Sequence, residues 1–206
     1  MITLYWYPKT RASRTHWLLR ELGQPFELKH IDLRDRVSRA DPGFRAASPM
    51  GKVPAISDGT VHMAEGAAIA VYLADRYPDA GLSPALDHPD RGRFLYWCTY
   101  TPAAIEPAMM ERFNSWEVNP GTTGWGNFDR MIRTLERSLG DGPWILGERF
   151  SAADTLLGSS VYFMKTFGIL PESPVLEAYL QRCLDRPAYA ETLAEEAEAA
   201  QTMEEN

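Results

Sequence analysis

The spacing of apolar and polar positions changes character once along the chain, and that change divides it. The opening "ITLYWY" (2–7) is a run of β-branched and aromatic residues that predicts a buried strand. In "SRTHWLLRELG" (13–23), Trp17, Leu18 and Leu22 recur at helical spacing, with Ser13 as a candidate N-cap and Gly23 as a stop. "FELKHIDL" (26–33) alternates imperfectly and predicts a second strand. Strand, helix, strand over so short a span is a βαβ unit, with parallel strands and a right-handed crossover. Residues 34–50 are charged and polar, with Pro42, Gly43 and Pro49, and predict irregular chain with short helices. "VPAISDGTVHM" (53–63) predicts a hairpin about Asp58-Gly59, although Pro54 stands at its head without an N–H for a ladder. "AEGAAIAVYLADRYP" (64–78) places Ile69, Val71, Tyr72 and Leu73 on a helical frame that stops at Pro78.

Beyond Pro78 the strand signals vanish. Residues 79–88 ("DAGLSPALDH") are rich in Pro and Gly and predict a linker. Residues 89–206 are helical in pattern, with a break expected at Pro102 and Pro107 and a loop at "NPGTTGWG" (119–126). "NFDRMIRTLERSL" carries Phe128, Ile132, Leu135 and Leu139 on one stripe; two further helices and a shorter one precede an acidic tail. The expected architecture is an α/β domain (1–78, βαβ-ββα), a linker, and an all-α helical bundle (89–206).

Composition trims the functional classes. The net charge of −7 argues against a general nucleic-acid binder. The charge is uneven: up to Pro78 there are 11 Lys+Arg against 8 Asp+Glu, and beyond it 10 against 20. A positive first half suits a small anionic ligand; chance together with an acidic tail, "EEAEAAQTMEEN", is the alternative reading of the imbalance. No run approaches ~18 uncharged apolar residues, so no membrane span is expected. "MITLYWYP" lacks a signal peptide's basic and apolar regions, and a cytoplasmic protein is expected. Cys98 and Cys183 have no metal-ligand spacing and read as reduced and buried; four scattered histidines add no metal pattern.

Three stretches taken together resemble the glutathione transferase family: "ITLYWYPKTRASRTHWLLRELG", "GKVPAI" with "AEGAAIAVYLADRYP", and "PWILGERFSAADTLLG". The likeness runs in order over nearly the whole chain and is to the cytosolic, bacterial-like members, with the subclass open. It implies a thioredoxin-like first domain, glutathione as co-substrate, no metal, and a homodimer.

The resemblance also implies roles for residues. Pro54 is expected to be cis, turning the backbone of Val53 outward so that glutathione's cysteinyl backbone docks as a short added strand. Glu65 and Gly66 begin a helix whose unpaired N–H groups and partial positive charge suit the γ-glutamyl carboxylate, with Glu65 on the ammonium. The family usually has Ser where this chain has Gly66, so a hydroxyl donor is missing. Lys52 is expected to reach a carboxylate as a point charge. Thr10 falls at the position of the family's thiol-activating serine; its hydroxyl can donate to a thiolate but is too weak an acid to lose its own proton. Ser13 is the second candidate, also readable as a helix cap, and Arg11 would add positive charge. Tyr5 and Tyr7 share one strand face and read as packed. Tyr7, Tyr100, Met109, Phe113 and Trp116 are the expected lining for a hydrophobic electrophile, although an aromatic and Met-rich stripe is more often core than pocket.

Two functions follow from different classes. The leading one is a transferase that activates the glutathione thiol for attack on a hydrophobic electrophile, with glutathione-dependent isomerisation or disulfide and peroxide reduction sharing its first step. The other is a protein of the same fold that binds glutathione or a partner without transferase catalysis. Ser151 and Asp154 in "SAAD" are expected to be structural.

Overall fold

The computed structural model describes residues 1–140 and 142–204. The chain forms two compact units, Met1–Ala80 together with the chain from Arg186 onward, and Gly81–Asp185.

In the first unit, β1 (Ile2–Trp6) is buried along most of its length and pairs in parallel with β2 (Phe26–His30), Ile2 opposite Phe26. Between them α1 (Ala12–Leu22) buries Trp17, Leu18, Leu19 and Leu22, and ends at Gly23 with φ +65°, where a side chain would be strained. A 3₁₀ turn (Ser38–Ala40) and α2 (Pro42–Ala47) occupy the irregular stretch. Asp41 caps α2 by accepting the Phe44 N–H at 2.8 Å, and Pro42 stands where the helix needs no donor. The hairpin is β3 (Ala55–Asp58) and β4 (Val61–Ala64), and the sheet order is β2-β1-β3-β4 with β1 and β3 antiparallel. The turn falls on Gly59-Thr60, one residue later than the sequence reading, because Asp58 belongs to the ladder and its carboxylate accepts the hydroxyls of Tyr72 and Tyr77, each at 3.0 Å. Those tyrosines come from α3 (Gly66–Arg76) and the residue after it, so the helix and the hairpin fix each other.

The second unit holds α4 (Arg91–Tyr100), α5 (Glu106–Asn114), α6 (Phe128–Leu139), α7 (Ala152–Thr166) and α8 (Pro174–Leu184). The break expected at Pro102 is a π-helical turn, Thr101–Ile105, joining α4 to α5. A proline without an N–H is accommodated by the wider turn rather than by ending the helix. The stripe Phe128, Ile132, Leu135 and Leu139 of α6 is buried, and so is nearly all of α7. Cys98 and Cys183 are buried and are not joined in a disulfide.

The last helix departs from expectation. It is long, α9 (Pro187–Glu204), and groups with the sheet rather than with the helices before it, packing on α1. Its Ala- and Glu-rich sequence has high helix propensity, which carries the helix through the tail that the sequence reading left outside it. Among the described residues no helix is long and apolar enough to cross a membrane, and no group of His, Cys, Asp and Glu could hold a metal ion.

Candidate functional site

The loop from β1 to α1 carries the candidate donors, and its conformation is tightly specified. Lys9 holds φ +55°, an uncommon value for a residue with a Cβ. The Thr10 hydroxyl donates to the carbonyl of Tyr7 at 2.6 Å and accepts the Ala12 N–H at 3.2 Å. Thr10, not Ser13, is therefore the residue whose side chain satisfies a free N–H at the start of α1. It is half-buried, and a turn of its O–H away from Tyr7 would present a donor at a helix N-terminus. Ser13 is 2% exposed, and its hydroxyl oxygen lies 2.7 Å from the Thr10 carbonyl and 2.8 Å from Glu196 Oε2. Its hydroxyl is thus held inside the first unit, between the loop and α9. Arg11 precedes α1 and is exposed.

The Val53–Pro54 peptide is cis. Both ladders of β3 begin at Ala55, so the backbone of Val53 lies outside the sheet's registers. The segment before it is held by Ser48, fully buried, whose hydroxyl donates to the Lys52 carbonyl at 2.7 Å and accepts the Lys52 N–H at 2.9 Å. Sequence reasoning missed Ser48; "SPMG", a serine, a proline and a glycine before the strand, was its one signal. The Lys52 side chain is exposed.

Glu65 stands before α3 with φ +71°, a left-handed value that costs of order 1–3 kcal/mol in a non-glycine residue. Gly66 follows as the first helical residue. A methyl group on Gly66 would lie 3.5 Å from Arg14 Cδ and 3.7 Å from Pro54 Cγ, ordinary contact distances. The helix start, the cis-proline and α1 therefore converge at Gly66. Arg14, 5% exposed, is a charged residue of this convergence that periodicity alone could not single out.

Tyr5 is buried against Phe44, with its hydroxyl accepting from Ser57 at 3.3 Å, so it is packed as expected. Tyr7 is half-buried, its ring 5.3 Å from that of His30. In the second unit Tyr100 stacks on Tyr96 at 5.4 Å and Met109 is half-buried on α5. Phe113 and Trp116 are 60% and 53% exposed, which argues against the core reading for those two.

Two family models match the chain: "Glutathione S-transferase, N-terminal domain" over residues 10–76 and "Glutathione S-transferase, C-terminal domain" over residues 102–182. The chain is 30% identical over 200 residues to glutathione S-transferase GstA of Escherichia coli O157:H7, covering 94% of this chain and 98% of that one. It is 32% identical over 208 residues to glutathione S-transferase 3 of Schizosaccharomyces pombe, covering 91% and 85%. A sphingomonad glutathione S-transferase solved in complex with glutathione superposes with a TM-score of 0.80 at 28% identity, over 95% of this chain and 98% of that one.

Proposed function

We propose, for a chain that belongs to the glutathione S-transferase family and is a glutathione transferase, that Thr10 activates the bound thiol and that Val53, Glu65 and Gly66 hold the tripeptide around it. The observation that carries this reading is the convergence of the cis Val53–Pro54 peptide and the start of α3 at Gly66. The Val53 N–H and C=O pair with the cysteinyl backbone, the α3 N-terminus takes the γ-glutamyl carboxylate, and Glu65 takes the ammonium. Lys52 supplies a mobile positive charge to a carboxylate. The sulfur lies at the start of α1, where the Thr10 hydroxyl donates to it and the positive end of the helix dipole favours its charge. Arg11 adds to the positive field. The thiolate then attacks a hydrophobic electrophile met by Tyr7, Tyr100, Met109, Phe113 and Trp116, in a cytoplasmic homodimer.

The test is a titration of bound glutathione, followed by thiolate absorbance. Thr10→Ala should raise the apparent pKa of the bound thiol by about 1–2, the worth of one hydrogen bond to a charged group. An unchanged thiolate band in the variant would remove Thr10 as the donor.

Gly66 supplies a second prediction. The space around it admits a Cβ, and its backbone is not left-handed. Gly66→Ser should restore the hydroxyl donor and lower the dissociation constant for glutathione by about 3–10-fold, as measured by calorimetry. Weaker binding would show that the γ-glutamyl end does not sit at this helix start.

A further inference from the structure

Glu196 is a carboxylate that the proposed chemistry leaves unused. It sits on α9 within the first unit, is 4% exposed, and bonds the first turn of α1 just after Thr10. Its Oε2 lies 2.8 Å from the Ser13 hydroxyl, while its Oε1 is buried without a hydrogen-bond partner. That spacing would be unremarkable for a loop held by its own residues, but here the holder is 183 positions away in sequence.

The Ser13 hydroxyl has one proton and two acceptors, the Thr10 carbonyl at 2.7 Å and Glu196 Oε2 at 2.8 Å. If Glu196 is ionised, Ser13 must donate to it, and the Thr10 carbonyl keeps the Ser13 N–H at 3.1 Å alone. If Glu196 is neutral, its O–H donates to Ser13, and Ser13 donates to Thr10. We propose that Glu196 is a positioning residue for the thiol site, whose proton state sets the direction of the Ser13 hydroxyl and with it how firmly the loop holds Thr10. This inference rests on the reading of Thr10 as the thiol donor.

Burial pushes the Glu196 carboxyl up to about 7, against the Ser13 hydroxyl, the Lys9 N–H and the Lys9 charge, which all favour its ionised form. The loop supplies Lys9 and α1 supplies Ser13 as the groups acting on it. Further along α1, His16 and Arg20 face Glu195 instead; His16 lies 3.1 Å from it, and burial pushes that imidazole down to about 4, so it stays neutral while Glu196 titrates. The two arrangements therefore exchange near neutral pH.

Glu196→Gln has the same shape, donates to Ser13 through its amide N–H, and cannot titrate, so it holds the neutral arrangement at every pH. The experiment combines hydrogen exchange of the loop amides in the unliganded full chain, corrected for intrinsic rates, with glutathione binding, both at about pH 6 and about pH 8. In the native protein, loop protection and glutathione affinity should each change by about 3–10-fold between the two, the size of effect one hydrogen bond carries. In Glu196→Gln loop protection should be flat, and glutathione affinity should keep only the change that ionisation of the bound thiol itself brings. Identical pH profiles in the two proteins would overturn the proposal. A loop that switches in the native protein while glutathione binds at neither pH would overturn the thiol-site reading, and the positioning role with it.

Discussion

Asp154→Ala should destabilise the second unit by about 3–5 kcal/mol, read as an earlier midpoint in urea or thermal unfolding followed by helical circular dichroism. Asp154 is fully buried in the first turn of α7. Its Oδ1 accepts the Ile145 N–H at 2.9 Å and the Tyr179 hydroxyl at 3.0 Å; its Oδ2 accepts the Ser151 N–H at 2.9 Å and the Ser151 hydroxyl at 3.0 Å. One side chain thus ties the loop before α7, the start of α7 and the inner face of α8. Burial pushes the carboxyl up to about 6, but four donors favour the charged form, so it accepts all of them as a carboxylate at neutral pH. Removing it leaves the buried Ile145 and Ser151 N–H groups without an acceptor, each costing about 1–3 kcal/mol where water cannot enter, while the Ser151 hydroxyl can turn and the Tyr179 hydroxyl keeps the Asp154 backbone carbonyl at 3.4 Å. Asp154→Asn keeps the shape and one good acceptor, and should fall between. A loss below about 1 kcal/mol for the alanine variant would show that water or a rearranged loop replaces the carboxylate without strain.

Periodicity made much of the framework legible. Trp17, Leu18 and Leu22 on α1, the stripe of α6, and the hairpin each declare themselves within a dozen residues, because their burial follows local spacing. The site was legible only in part. Pro54, Glu65 and Gly66 came from resemblance and do converge, but Ser13 reads from sequence as a cap or a donor and turns out to bond with a residue near the other end of the chain. Pairings of that kind leave no local period. The same reason hid the docking of α9: an Ala- and Glu-rich segment reads as a solvated tail until its inward positions are known. These are Tyr189, Thr192, Glu196 and Ala200, all buried and spaced three or four apart. A stripe of one aromatic, two polar residues and an alanine does not stand out on a hydropathy scale.

The anchor of that stripe gives the second large effect. Tyr189 is fully buried, and its ring stacks on that of Trp17 at 4.0 Å and 12°. Around the stack, Arg186 reaches Glu21 through two hydrogen bonds of 2.6 Å, and Arg20 meets Glu191 at 2.8 Å. Tyr189→Ala removes the ring and opens a cavity against Trp17, so it should destabilise the first unit by about 3–5 kcal/mol. Tyr189→Phe keeps the stack and should cost far less. Arg20→Ala should also be mild in its Glu191 contact, since that glutamate is 61% exposed and the pair is screened by solvent. The ordering matters more than any single value: if Arg20→Ala proves as damaging as Tyr189→Ala, charge rather than the aromatic stack holds α9. Glu196 lies two turns beyond Tyr189 on the same face. Undocking the helix therefore withdraws the Ser13 contact, and Tyr189→Ala should weaken glutathione binding although Tyr189 lies outside the binding machinery proposed for the tripeptide.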